Sequence, residues 1–83
     1  MHVQLRFFAS LREALGAGER LELPDPCTVG ELRDRLIARG EPHAAALART
    51  RTLRAARNQQ LCDESVVLAD GDELAFFPPV TGG

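Results

Sequence analysis

The sequence contains no lysine, and its ten strongly basic residues are all arginines. The chain therefore has no side-chain amine for Schiff-base chemistry or for an isopeptide bond to its own body. It also has no long apolar run, since no stretch approaches the roughly 20 residues of a membrane-spanning helix. The N-terminus shows no signal-peptide pattern. These absences predict a cytoplasmic protein with no membrane partner.

The sequence also has little net charge and no recognisable catalytic motif. Its net charge of -2 provides no general attraction to nucleic acid, so no nucleic-acid partner is expected. No Ser-His-Asp set, catalytic carboxylate pair or glycine-rich phosphate loop is recognisable. Cys27 and Cys62 form no C-x-x-C pair, and we interpret both as free reduced thiols in or near the core. His2 and His43 are isolated, so we expect them in surface or structural positions and predict no metal site.

The N-terminal third predicts two strands and a short helix. Residues 2–8 alternate as a half-buried strand does, with three apolar side chains on one face: Val3, Leu5 and Phe7. Ser10-Leu11-Arg12-Glu13 matches a capping box with the serine as N-cap, and Gly16 and Gly18 are expected to end the helix. Residues 20–23 alternate again and should form a hairpin with the first strand.

A second capping box, Thr28-Val29-Gly30-Glu31, predicts the start of the main helix. Four apolar residues recur at helical spacing and should pack on the sheet: Val29, Leu32, Leu36 and Ile37. Five polar residues are expected to face solvent: Glu31, Arg33, Asp34, Arg35 and Arg39. Gly40 is placed to act as C-cap, and Pro42 at a first-turn position predicts a second, shorter helix.

The C-terminal half is β-like. Residues 53–57 and 60–62 are predicted to be strands around an Asn-Gln turn, and residues 66–68 are a brief apolar segment for which a helical turn is one interpretation. Residues 73–77 form the last predicted strand, after the Asp70-Gly71 turn. No repeat or linker interrupts the pattern, so the chain is predicted to be one α+β unit.

Alternation leaves Phe8 and Phe77 on the sheet face opposite the core. Burying one phenylalanine is worth roughly 1.5–3 kcal/mol, so two exposed rings forgo appreciable stabilisation. If their strands are parallel neighbours, both rings lie together, and Leu61 is a candidate third member of the group. Isolated exposed aromatics are common, and the first helix could cover Phe8. We favour a hydrophobic docking patch for another protein.

The last six residues predict a presented C-terminus. Pro78 and Pro79 lack backbone N–H groups, so strand pairing should stop at Phe77. We therefore expect a folded domain over residues 1–77 and an extended, semi-rigid tail over residues 78–83. Gly82 and Gly83 have no side chains and could enter a narrow channel that brings the terminal carboxylate close to a nucleotide. A merely frayed, glycine-rich C-terminus is the alternative.

Two end segments carry a family resemblance. Residues 7–13 (Phe-Phe-Ala-Ser-Leu-Arg-Glu) and residues 70–83 (Asp-Gly-Asp-Glu-Leu-Ala-Phe-Phe-Pro-Pro-Val-Thr-Gly-Gly) resemble the small subunits of molybdopterin synthase. Residues 28–32 are also similar, as is Ala56-Arg57-Asn58-Gln59, although Arg57 replaces a usually apolar residue. The likeness covers the whole length and is least clear over residues 41–52.

The resemblance implies a ubiquitin-like β-grasp fold, with a mixed β-sheet packed on one main helix and the first and last strands parallel at its centre. It also implies a sulfur carrier. A ubiquitin-activating-like adenylyltransferase would use ATP to adenylate the Gly83 carboxylate, next to Gly82, and a sulfur donor system would convert it into a thiocarboxylate. The chain itself would hold no permanent cofactor and would not be catalytic alone.

The implied partner is the large catalytic subunit of molybdopterin synthase. There Gly83 would give sulfur to cyclic pyranopterin monophosphate. Four residues would insert with the glycines: Pro78, Pro79, Val80 and Thr81. Three would contact the partner: Phe8, Leu61 and Phe77. Two alternatives stay open. One is a sulfur carrier for thiamine, cysteine or tRNA thiolation, although the length and ending argue against thiamine. The other is a ubiquitin-like protein modifier or binding module.

Overall fold

The computed structural model describes residues 1–79. Within this range the chain forms five strands: β1 His2–Phe7, β2 Gly18–Glu22, β3 Arg54–Arg57, β4 Gln60–Cys62 and β5 Glu73–Phe77. It also forms three helices: α1 Ser10–Leu15, α2 Val29–Ile37 and α3 His43–Ala46. None of the helices in this range has the length and apolar character needed to span a bilayer.

The strands form one mixed sheet in the order β2-β1-β5-β3-β4. β1 and β5 are parallel neighbours, with Leu5 opposite Leu74 and Phe7 opposite Phe76. The other neighbouring strands are antiparallel, including the β1-β2 hairpin that the sequence predicted. The predicted α+β class is therefore confirmed, as is the parallel pairing of the first and last strands.

Alternation along the strands decides which face of the sheet is buried. Every second residue of β1 is buried, and these are the predicted ones: Val3, Leu5 and Phe7. The main helix α2 adds three residues to the same core: Val29, Leu32 and Leu36. Arginines on the opposite face, at positions 6, 20 and 54, are exposed to solvent. The helices thus cover one face of the sheet and leave the other available for contacts.

The capping box of α2 is confirmed. The Thr28 hydroxyl accepts a hydrogen bond from the Glu31 backbone N–H at 3.1 Å, and the Glu31 carboxylate accepts one from the Thr28 N–H at 3.1 Å. The two-residue turn between β3 and β4 is also confirmed. Asn58 and Gln59 there have positive φ values of 50° and 68°, which suits the twist of a tight hairpin.

The capping box predicted for α1 is wrong. Ser10 is the first helical residue, and the N-cap is Ala9, which has a φ of 55° and makes no side-chain capping bond. The Ala9 carbonyl oxygen accepts from the N–H groups of Arg12 and Glu13 at 3.0 and 3.3 Å. The chain turns from β1 into α1 so abruptly that the cap falls one residue before the serine.

Gly18 was also misassigned, because it does not end α1 but begins β2. A Cβ atom there would collide with the Leu5 carbonyl oxygen across the hairpin, so the close approach of the two strands requires glycine. Gly16 does end α1, as predicted.

Three smaller interpretations also need correction. Residues 66–68 form no helical turn; Val67 instead makes an isolated antiparallel bridge with Thr28. The C-cap of α2 is Ala38, and Gly40 follows two residues later with a φ of 89°. Pro42 is the N-cap of α3 and not a first-turn residue.

Arg33 contradicts the prediction that it faces solvent, because it is only 3% exposed. Its guanidinium donates to three backbone carbonyls that follow α3: Leu47 at 2.8 Å, Ala48 at 2.6 Å and Arg51 at 3.0 Å. Carbonyls at the end of a helix have no partner within it, and the long arginine side chain reaches them from the flank of α2. Arg33 thereby joins α2 to the segment that leads into β3.

Glu64 completes this polar cluster. It accepts a hydrogen bond from Arg33 at 2.7 Å and another from Arg49, while Arg49 also contacts Asp34 and donates to the Gly30 carbonyl at 2.9 Å. Partial burial acts to raise the pKa of Glu64, but the hydrogen bonds and charges of the two arginines outweigh it and hold that pKa below its ordinary value. The cluster therefore ties α2, the segment after α3 and the loop after β4 together.

Replacing Arg33 by alanine should lower the free energy of unfolding by about 3 kcal/mol, because the buried Leu47 carbonyl, two partly buried carbonyls and Glu64 lose a donor together. Urea denaturation measures the change. Arg35→Ala, at an exposed position of the same helix, is the matched control and should stay within about 0.5 kcal/mol of the wild type. Equal effects of the two substitutions would contradict the role assigned to Arg33.

The contribution of Glu64 to stability should depend on pH. Because its pKa is lower in the folded than in the unfolded chain, its contribution is present above the unfolded value of about 4.5 and is lost as the pH falls through the folded value. The difference in unfolding free energy between wild type and Glu64→Gln should therefore shrink under acid conditions. Denaturation series at neutral and acid pH measure it, and a difference that grows in acid would refute this assignment.

Candidate functional site

The parallel β1-β5 pair brings Phe8 and Phe77 to one end of the sheet. Phe7 and Phe76 are register partners, and the Phe8 N–H donates to the Phe76 carbonyl at 3.2 Å. Phe8 is 43% exposed and Phe77 is half-buried. The helix α1 does not hide Phe8; it contributes Leu11 to the core instead. The predicted adjacency of the two residues is confirmed.

The sheet surface between these rings and β4 is built from small residues. On β5, Ala75 lies opposite Arg6 of β1 and opposite Ala56 of β3, and Ala56 lies opposite Leu61 of β4. Leu61 is 64% exposed. We call this surface the apolar face and define it by five residues: Phe8, Ala56, Leu61, Ala75 and Phe77. Its low centre and bulkier edges could receive a convex apolar surface of another protein.

The tail begins beside this face. β5 ends at Phe77, as predicted, and Pro78 and Pro79 belong to no strand and are half-buried. The predicted tail residues Val80, Thr81, Gly82 and Gly83 lie outside the described residues. The base of the tail is therefore placed next to Phe77, while the reacting end assigned to it remains a prediction.

Charged groups border the apolar face, and sequence reasoning assigned them no role. Arg6 forms an ion pair with Glu73 at 3.2 Å on this side of the sheet. Arg54 is the register partner of Phe77 and is exposed. The sequence shows which residues of β3 and β5 alternate between the two faces of each strand. It does not show the register between the strands, which places Arg54 opposite Phe77.

The two cysteines do not form a reactive centre. Cys27 is 1% exposed within the core, and Cys62 is partly buried against it, as free thiols. Burial is the largest influence on both groups and raises the pKa of each thiol, which disfavours the nucleophilic thiolate. His2 is exposed and His43 half-buried. Among residues 1–79, no three His, Cys, Asp or Glu side chains are grouped to hold a metal ion.

The chain is similar in sequence or in structure to several described proteins. The molybdopterin synthase sulfur carrier subunit of Escherichia coli is 43% identical over 81 residues, covering 98% of this chain and 99% of the relative. The crystal structure of H. volcanii small archaeal modifier protein 1 superposes with a TM-score of 0.75 at 29% identity and covers 95% of this chain and 98% of that one.

A third comparison includes a partner. One chain in the complex of subunits 1 and 2 of the molybdopterin-converting factor from Helicobacter pylori superposes with a TM-score of 0.69 at 27% identity, and both chains are covered completely. A sequence model of the ThiS family matches residues 5–83. Because that match spans nearly all of the sequence, this chain belongs to the ThiS family.

Proposed function

We propose that this protein is the sulfur-carrier subunit of a molybdopterin synthase. The observation that carries the proposal is the position of the tail base, which the parallel β1-β5 pair sets beside Phe8 and Phe77 on the apolar face. A carrier of this kind needs a surface for docking and a slim segment that enters its partner. The 43% identity to a sulfur carrier subunit of the same synthase supports this reading.

In the proposed chemistry the working group is the carboxylate of Gly83. A carboxylate resists nucleophilic attack because it is anionic, so an adenylyltransferase of the ubiquitin-activating type first transfers AMP to it from ATP, with release of pyrophosphate. A sulfur donor system then displaces AMP and leaves a thiocarboxylate. We infer that these steps occur in the cytoplasm. ATP is bound by the activating enzyme, and the carrier's contribution is to position its C-terminus.

The thiocarboxylate then gives its sulfur to cyclic pyranopterin monophosphate in the large catalytic subunit. Pro78 and Pro79, followed by Val80, Thr81 and Gly82, would lead Gly83 into that subunit's cleft. Ordering a flexible residue costs about 1–2 kcal/mol, and contact through Phe8, Leu61 and Phe77 would offset that cost. The likeness to one chain of a two-subunit molybdopterin-converting factor supports such a partner.

Incubating the full chain with its activating enzyme, ATP and a sulfur source should replace one terminal oxygen by sulfur, because the adenylate is displaced at Gly83. Intact-mass spectrometry measures the change. A chain that lacks Gly83 is the control; it should keep the wild-type unfolding curve and fail to give sulfur to cyclic pyranopterin monophosphate in the large subunit. An unchanged mass in the presence of demonstrably active enzymes would contradict the proposal.

Phe8→Ala should weaken binding to the large subunit about tenfold or more while leaving the unfolding free energy nearly unchanged, because the ring is largely outside the core. Phe77→Ala should weaken binding similarly, with some loss of stability because Phe77 is half-buried. Titration calorimetry and urea denaturation measure the two quantities separately.

The buried neighbour Phe76 supplies the contrast for this test. It is 1% exposed, so Phe76→Ala should destabilise the fold by about 3–5 kcal/mol. If Phe8→Ala damaged folding as much as Phe76→Ala did, Phe8 would be a core residue and the docking role would fall.

A second candidate is a protein modifier that is joined to other proteins through its terminal glycine. The likeness to H. volcanii small archaeal modifier protein 1 favours it. Abundant cellular proteins that carry the C-terminal Gly-Gly remnant of this chain would support this candidate over the carrier. A thiocarboxylate without a stable complex with the large subunit would instead favour a carrier for thiamine, cysteine or tRNA thiolation.

A further inference from the structure

One charged side chain on the open side of the sheet stands beside the apolar face and has no ionic partner in the described part of the chain. Arg54 is exposed and is the register partner of Phe77 across the β3-β5 pair. Arg6, on the same side of the sheet, is neutralised by Glu73 at 3.2 Å. Within residues 1–79, no acidic side chain lies within ion-pair distance of Arg54.

Two acidic residues line an open cleft together with Arg54, and neither forms an ion pair with it. Arg54 and Leu61 share an open cleft of about 540 Å³ with Asp63 and Glu64. Asp63 accepts hydrogen bonds from the Ser65 backbone and hydroxyl, and Glu64 binds Arg33 and Arg49. Arg54 thus forms no ion pair with either of these carboxylates, and its exposed guanidinium is available to a carboxylate of another protein.

This position restricts what can dock. A partner that covers Phe77 also removes water from the neighbouring guanidinium, and a charge that loses water without gaining a partner is costly. A carboxylate on the docking protein would offset the loss and could accept two parallel hydrogen bonds from the planar guanidinium. A lysine or arginine there would be repelled, so the same position discriminates against partners of the wrong charge.

We propose that Arg54 determines partner choice by pairing with a carboxylate that the large catalytic subunit presents beside the surface that covers Phe77. The inference rests on the proposed function, since it refines how the same face binds that subunit. The partner surface is thereby assigned a chemistry, which is an apolar patch bordered by an acidic residue at the Arg54 edge.

The test measures the Kd of the complete chain and its large subunit by titration calorimetry for wild type, Arg54→Gln and Arg54→Glu. Arg54→Glu should raise Kd about tenfold or more, with Arg54→Gln in between, because charge reversal next to a carboxylate turns attraction into repulsion. The ratio of the Kd of Arg54→Glu to the Kd of the wild type should fall at high salt, because salt screens both the attraction in the wild type and the repulsion in the variant.

Arg20→Glu is the matched control. Arg20 is exposed on the same side of the sheet and lies on the far edge strand β2, opposite Gln4, so it undergoes the same charge change away from Phe77. It should alter Kd less than about twofold. Unfolding curves of all variants confirm that each one is folded.

The outcomes separate this inference from the proposed function. If wild type binds and Arg54→Glu matches Arg20→Glu, or binds more tightly than wild type, the Arg54 assignment is overturned and the carrier function stands. If wild type itself does not bind the large subunit, both are overturned. A tenfold loss confined to position 54 supports the assignment.

Discussion

The parallel pairing of β1 with β5 is the contact on which the rest of the structure depends. Parallel strands need a long connection between them, and nearly the whole chain, with its helices and the other strands, lies between these two. Because the two strands run in the same direction, Phe8 and Phe77 leave the sheet at the same end. The tail base is therefore next to Phe8 although the two are far apart in sequence.

The register of this pair is held by the core. Leu5 and Leu74 are fully buried as opposite partners. A shift of one residue along β5 would turn Leu74 and Phe76 outward and bring Phe77 inward, since side chains alternate between the faces of a strand. The burial of Leu74 and Phe76 thus also keeps Phe77 on the opposite face of the sheet. Stability and surface composition cannot be changed independently at this strand.

Much of this arrangement could be predicted from the sequence because it rests on periodicity. Alternation identified the buried face of β1 and the core residues Leu74 and Phe76 of β5, although Ala75 between them is buried too. The spacing of Thr28 and Glu31 located the start of α2 correctly. The capping box predicted at Ser10 was wrong, because the chain turns sharply after β1 and the N-cap is Ala9. The pattern of a capping box carries no information about how the preceding strand approaches the helix.

The surroundings of two arginines, Arg33 and Arg54, could not be predicted from the sequence either. The helical pattern predicts that the charged residue at position 33 faces solvent. Arg33 is buried instead, because backbone carbonyls after α3 lie within its reach and accept its hydrogen bonds. The sequence predicted a strand over residues 53–57 but did not show that Arg54 lies opposite Phe77, which only the β3-β5 register shows. Both side chains are defined by partners distant in sequence, and local patterns do not encode such partners.

In the proposed function the C-terminus becomes an activated acyl group, and the reactive groups of the folded domain matter for that step. An acyl-adenylate reacts with any accessible amine or thiolate, so a carrier benefits when its own body offers few. The chain has no lysine, and burial raises the pKa of both Cys27 and Cys62. The N-terminal amine donates to the Leu23 carbonyl at 2.8 Å, and it lies at the end of β1 opposite the tail base. The length of that strand, about 3.3 Å per residue, separates the amine from Phe8. The same parallel pair that positions the tail thus also keeps the remaining backbone amine away from the point where the tail begins.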